Sequence, residues 1–236
     1  SLCLVGSEMC IRDSNFSIVP NLQKILKKGD RKVTVAVFEG NEILSVWPGY
    51  HDSIFGVSLD IGSTTVAACL SDLSSGDVIA SVNTMNPQIR FGEDLMSRVS
   101  FAMMNSNGAH QMTESIRGAI NDLLHELTEE SNVPLTSILE ISIVANPVMH
   151  HILLGIDPCE LGGAPFSLAI DTSVSEAAVN FGLNINPGGK VYVLPCIAGH
   201  VGADTAGVIL SEKPFSNEDL TLLAVSYTHL RAHETQ

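Results

Sequence analysis

Basic and aromatic residues are scarce in this 236-residue chain. Twelve Lys and Arg stand against 26 Asp and Glu, and Phe, Trp and Tyr together make up 5%. The formal charge of −14 argues against a nucleic-acid-binding surface, whose affinity rests on cations that neutralise phosphates. Cysteine is also thin. Cys69, Cys159 and Cys196 lie far apart in the body of the chain, a spacing that fits no zinc ribbon, iron–sulfur set or disulfide framework. No apolar run approaches the roughly 18 residues of a membrane span, and the expected location is the cytoplasm. A hydrophobic share of 45% is enough for a sizeable core.

The two ends look foreign. Residues 1–14 (SLCLVGSEMCIRDS) and 225–236 (VSYTHLRAHETQ) resemble translated sequencing-library adapter read from opposite strands. A nucleotide string that encodes Leu4–Asp13 yields Val225–Glu234 when its complement is read in another frame with flanking adapter bases. Glu8 and Arg12 interrupt the first segment where a signal peptide needs an apolar run. Both segments are therefore expected to be non-native, with a fragment between them.

Residues 15–52 read as a linker unit. A short helix over Asn21–Lys28 stops at Gly29-Asp30. Two strands, Lys32–Phe38 and Glu42–Trp47, flank the turn Glu39-Gly40-Asn41. From Phe55 the pattern becomes a meander of Phe55–Ile61, Thr64–Asp72 and Asp77–Val82. Helices over Gly92–Met104 and Met112–Glu130 follow; the second keeps helical spacing through Met112, Ile116, Ile120, Leu123, Leu124 and Leu127. Then come a strand over Glu140–Ala145, a helix opened by Asn146-Pro147 and closed by Gly155, a strand over Val191–Leu194, and a helix over Ala203–Ser211. A meander followed by alternating helices and strands is an α/β pattern.

The chemistry centres on Asp60-Ile61-Gly62-Ser63-Thr64-Thr65. A glycine turn between strands lets backbone N–H groups approach an anion closely, and Ser63, Thr64 and Thr65 add hydroxyls. Asp60 is placed to hold Mg²⁺ through water, since that ion binds few carboxylates and keeps much of its hydration. Taken alone, the tetrad reads as either an ordinary hairpin or a phosphate loop. A second feature is the glycine-rich stretch from Leu194 to Thr205, where Asp204 reads either as a helix cap or as a group that positions magnesium or an attacking water. His150 and His151 point about 100° apart on a helix, so they do not chelate one ion; one is expected to pack and the other to face solvent. Met103, Met104 and Met149 read as core fillers, and Cys196 as a small buried apolar residue. Arg90 reads as a contact for a partner or phosphate, or as a local partner of Glu93 or Asp94.

Four longer blocks carry a resemblance: LDIGSTTVAACLSDLSSGDVIAS from Leu59, MNPQIRFGEDLMSRVSFAMM from Met85, VANPVMHHILLGIDPCELGGAPF from Val144, and VYVLPCIAGHVGADTAGVIL from Val191. From about Val33 to Ser211 the chain resembles the reductive activators of corrinoid-dependent proteins, ferredoxin-fused members of the superfamily of acetate and sugar kinases, heat-shock chaperones and actin. The resemblance implies an actin/sugar-kinase-like (ribonuclease H-like) nucleotide-binding lobe. It places a first phosphate motif at Asp60, Gly62, Ser63, Thr64 and Thr65. Asp60 and Asp204 are the candidate catalytic carboxylates. The block from Gly199 to Gly207 matches the connecting segment before the family's second phosphate motif. For the parent protein it implies ATP and Mg²⁺, a [2Fe–2S] cluster in an N-terminal domain that this sequence does not contain, and a homodimer. The partner would be a corrinoid protein of a methyltransferase system, taken from Co(II) to Co(I).

The division expected on this basis is 15–52 linker unit, 53–214 first (middle) lobe and 215–224 start of a second lobe. Half of the nucleotide site is then missing. Other readings are a different ATPase or kinase of the superfamily, a dehydratase activator, or a docking module for a corrinoid protein.

Overall fold

The computed structural model describes residues 18–216. The two adapter-like segments and most of the expected start of a second lobe lie outside them. A 3₁₀ turn (Val19–Asn21) leads into α1 (Leu22–Lys28), which ends at Gly29. β1 (Val33–Phe38) and β2 (Glu42–Pro48) pair antiparallel. Their turn places Glu39 at φ 47° and Gly40 at φ 77°, the left-handed pair that suits a twisted hairpin.

The second sheet has six strands: β3 (Phe55–Ile61), β4 (Thr65–Asp72), β5 (Val78–Met85), β6 (Ile138–Ala145), β7 (Val174–Ala177) and β8 (Lys190–Val193). Their spatial order is β5-β4-β3-β6-β8-β7. β3, β4 and β5 form the antiparallel meander, β6 runs parallel to β3, and β8 runs parallel to β6. With β7 set aside as an antiparallel edge, this is the 3-2-1-4-5 order of the expected ribonuclease H-like lobe.

α2 (Leu95–Met104) and the long α3 (Gly108–Ser131) connect β5 to β6; α4 (Pro147–Leu154) follows β6, and α5 (Ala203–Glu212) follows β8. α3 buries Met112, Ile116, Ile120, Leu123, Leu124 and Leu127, the residues its periodicity picks out. They meet Val57, Leu59 and Ile61 of β3 and Ile141, Ile143 and Ala145 of β6 in one core. Strand alternation turns Ser58 and Asp60 to the other face of the sheet, where both are exposed. α5 packs on that second face, with Gly207 close against Val144, and Val144 is paired with Asp60 across the β3–β6 ladder.

Several expectations change. α2 begins at Leu95 and is capped by Asp94, whose carboxylate accepts from the Ser97 amide at 2.7 Å; a separate 3₁₀ turn occupies Pro87–Phe91. Met103 and Met104 are exposed, at 63% and 83%, so they are not core fillers, whereas Met149 is fully buried. His150 and His151 are both buried. α4 is covered on all sides, so neither histidine reaches solvent.

Candidate nucleotide-phosphate site

The carboxyl ends of the parallel strands β3 and β6 and the start of α5 meet at one place, where open α/β sheets bind ligands. Asp60 and the turn after it close β3. Asn146 follows β6. A tight loop after β8, in which the Ile197 and Ala198 amides both donate to the Val201 carbonyl, delivers the chain to α5. Gly202 is required there: a Cβ would lie 2.6 Å from the Ala145 carbonyl oxygen and 2.7 Å from the Asn146 Cα. This close approach sets Asp204, in the first turn of α5, beside Asp60.

The 62–65 turn is held from below. The Gly62 amide donates to the Thr65 carbonyl at 3.0 Å, and the Asn86 amide donates to the Thr64 carbonyl at 2.7 Å. The Asn86 side chain donates to the Gly62 carbonyl at 2.8 Å, and Arg98 donates to the Ser63 carbonyl. In a trans peptide the N–H points opposite to the C=O. Anchoring the Gly62 and Ser63 carbonyls therefore aims the Ser63 and Thr64 amides away from the anchors. Thr64 and Thr65 are exposed on the rim.

Asp60 and Asp204 act on each other. Partial desolvation by the protein around it, and then the negative charge of Asp204, raise the Asp60 carboxyl above its ordinary value. Asp204 does not cap its helix: Gly202 is the N-cap and carries no side chain, while the Asp204 carboxylate accepts from the adjacent Thr205 amide at 2.7 Å. Two neighbouring carboxylates beside backbone donors suit a hydrated cation that bridges to an anionic group. Among the described residues no cluster of three or more His, Cys, Asp or Glu is placed to hold a metal.

The remaining candidates are scaffold or lie elsewhere. His151 is locked as a neutral ring, with Nδ1 2.9 Å from the Pro147 carbonyl and Nε2 accepting from the Ala169 amide at 3.0 Å. Cys196 is buried, and burial pushes its thiol up to about 11. Arg90 lies over the Phe91 ring at 4.6 Å; the described salt bridge joins Lys190 to Glu42, not Arg90 to Glu93 or Asp94. Sequence reasoning missed Asn86 and Arg98. Asn86 carries the same Asn-Pro signature as Asn146, with its side chain accepting from the Gln88 amide at 2.9 Å. Arg98 shares the buried face of α2 with Val99 and Ala102, an anomalous position for a cation.

The strand order defines an α/β lobe of the actin and sugar-kinase type. Residues 55–213 match the RACo middle region and residues 8–53 match the RACo linker region. The chain belongs to the RACo family. It is similar to the corrinoid activation enzyme RamQ of Eubacterium limosum, with 29% identity over 199 residues that cover 83% of this chain and 33% of that protein. It also resembles a solved reductive activator for corrinoid, iron–sulfur protein, with a TM-score of 0.79 and 30% identity, covering 87% of this chain and 33% of that one. The chain thus spans about a third of the length of each.

Proposed function

We infer that residues 53–214 form the first lobe of an ATP-dependent reductive activator, joined to a linker unit at 15–52, and that the Asp60–Thr65 turn receives the terminal phosphates of ATP. The observation that carries this reading is the convergence of Asp60 and Asp204 on the rim of a glycine turn whose carbonyls are tied down. The Ser63 and Thr64 amides and the hydroxyls of Ser63, Thr64 and Thr65 serve as phosphate donors, and Gly62 shapes the turn with its own amide donated to the Thr65 carbonyl. Asp60 holds Mg²⁺ through water, and Asp204 positions the ion or the attacking water. Bound Mg²⁺ supplies charge neutralisation at the phosphates.

In the whole protein, ATP would drive one electron from a [2Fe–2S] ferredoxin domain to a Co(II) corrinoid on a partner of a methyltransferase system, giving Co(I) and the oxidised cluster. The parent is expected to work as a homodimer. Likeness to a corrinoid activation enzyme and to a reductive activator supports this reading.

The test is ATP-dependent loss of the Co(II) corrinoid spectrum by the parent protein with a reductant present. Asp60→Asn is expected to slow it about 100-fold, the scale of losing one electrostatic group at a transition state; an unchanged rate sinks the role given to Asp60. The 236-residue chain by itself is expected to bind MgATP weakly or not at all. Calorimetry that finds micromolar affinity overturns that expectation.

A further inference from the structure

Arg98 is fully buried on a helix face that elsewhere carries Val99 and Ala102. Its three nitrogens each donate to a different acceptor. Nε donates to the Gly92 carbonyl at 3.0 Å, one terminal nitrogen to the Met149 sulfur at 2.9 Å, and the other to the Ser63 carbonyl. No carboxylate lies within ion-pair distance among the described residues. Asp94 acts on it from farther away, and its carboxylate is committed to the Ser97 amide at the start of α2. Burial pulls the guanidinium down only to about 10, so it stays charged at neutral pH. A buried cation without a counter-ion is costly, and an apolar residue would fill the same space beside Val99 more cheaply. The counter-charge is therefore to be sought outside the resting chain.

The Ser63 peptide shows where. Its carbonyl accepts a hydrogen bond from Arg98, and the N–H of the same peptide plane, that of Thr64, points the opposite way. A cation bonded to the carbonyl polarises the peptide and strengthens that N–H as a donor. We propose that Arg98 is the positioning residue of the phosphate turn: it fixes the Ser63 peptide and supplies, from beneath, the positive charge that balances a polyphosphate anion above. Met149, whose own amide is held by the Asn146 side chain at 3.0 Å, steadies the guanidinium. The chain Asn146–Met149–Arg98–Ser63 thereby ties the end of β6, and with it the Gly202–Asp204 approach, to the turn after β3.

This inference rests on the phosphate reading of the turn, and the test separates the two. The probe is inorganic tripolyphosphate with Mg²⁺, titrated into the parent protein while the Ser63 and Thr64 amide resonances and the Arg98 Nε–Hε resonance are followed. All three are expected to move with one saturation curve. Arg98→Met is expected to weaken binding about tenfold or more, from loss of one charge at short range in a partly buried site. Arg98→Lys keeps the charge but cannot hold all three acceptors, and should recover part of the loss.

If the loop amides do not respond in the wild-type parent protein, the phosphate reading fails and this inference with it. If they respond while the Arg98 resonance stays still, or if Arg98→Met binds as tightly as wild type, the turn binds phosphate without Arg98 and the proposal is overturned. Arg98→Lys binding as poorly as Arg98→Met reduces Arg98 to packing and overturns it equally. The Nε–Hε readout needs no variant, so it decides the matter even where Arg98→Met does not fold.

Discussion

His150 sits in the centre of α4, with neither ring nitrogen hydrogen-bonded among the described residues. Burial, and then the neighbouring His151, hold its pKa down to about 4, with the Leu194 backbone acting weakly the other way; burial also lowers His151. A depressed folded-state pKa means that the unfolded chain binds more protons between the two values. The stability these rings contribute is therefore complete above the unfolded value of about 6.5 and drains away as pH falls toward 4. Urea denaturation between pH 7.5 and 4.5 should show a loss of about 3 kcal/mol from His150. His150→Leu should flatten the slope in that window, and an unchanged slope would remove His150 from the account. Asp60 works in the opposite sense. Its carboxyl is raised, so ionisation beside Asp204 opposes folding, and solvent screens the effect. Asp60→Asn is expected to leave stability unchanged or raise it by under about 1 kcal/mol while it slows the parent protein about 100-fold. Such an opposition of stability and function marks a site residue; a destabilised Asp60→Asn chain would instead mark Asp60 as structural.

Two Asn-Pro junctions, 86–87 and 146–147, start helical segments in the same way, with the asparagine side chain accepting from an amide two or three residues on. They differ in what else hangs on them. Asn146→Ala removes a cap and should cost about 1–2 kcal/mol. Asn86→Ala removes a cap together with the Gly62 anchor and leaves buried groups unpaired, so about 2–4 kcal/mol is expected. Chemical denaturation of both variants checks the order, and equal losses would mean that the Asn86–Gly62 bond adds nothing. Period and punctuation made most elements legible: the stripe of α3, the alternation of β3 and β4, and the stop at Gly155, which takes φ 77°. The edge strand β7 was not legible, because only Val174 and Ala177 are even half-buried and no alternation marks it. The solvent-facing position expected for one of the two histidines fails because amphipathicity cannot tell a two-sided helix from an enclosed one; the second partner of His151, Ala169, comes from a loop 18 residues on. Met103 and Met104 fall in the last turn of α2, past the edge of what α3 covers. Arg98 meets Ser63 across 35 residues of sequence, a contact that no local pattern encodes. The Asp60–Asp204 meeting likewise depends on the parallel placement of β3 and β6 and on the tolerance at Gly202. Gly202→Ala should accordingly cost about 1–3 kcal/mol, the range of overpacking.

At the scale of the molecule, the linker hairpin and the six-stranded lobe are joined by few contacts of unequal weight. Leu44 of β2 is 5% exposed, and its carbonyl leaves no room for a Cβ on Gly188, which would lie 1.9 Å away. Ser45 receives a hydrogen bond from the Asn186 amide group at 3.2 Å, and Lys190 at the start of β8 pairs with Glu42 at 2.8 Å. β8 is the strand that leads into the Gly202–Asp204 approach, so the hairpin braces the element that delivers half of the acidic pair. Surface ion pairs contribute about 0–1 kcal/mol, whereas truncating a buried leucine costs about 2–5 kcal/mol. Lys190→Ala should then lower stability by less than about 1 kcal/mol and Leu44→Ala by about 2–4 kcal/mol. If the hairpin and lobe form one cooperative unit, Leu44→Ala shifts the urea midpoint at constant slope, and tryptophan emission from Trp47 in β2 moves together with far-ultraviolet circular dichroism, which is dominated by the lobe. Separate transitions for the two signals would show the hairpin to be only tethered. In that case the spacing of Asp60 and Asp204 should survive its loss, and the phosphate turn would owe its geometry to Asn86, Arg98 and Gly202 alone.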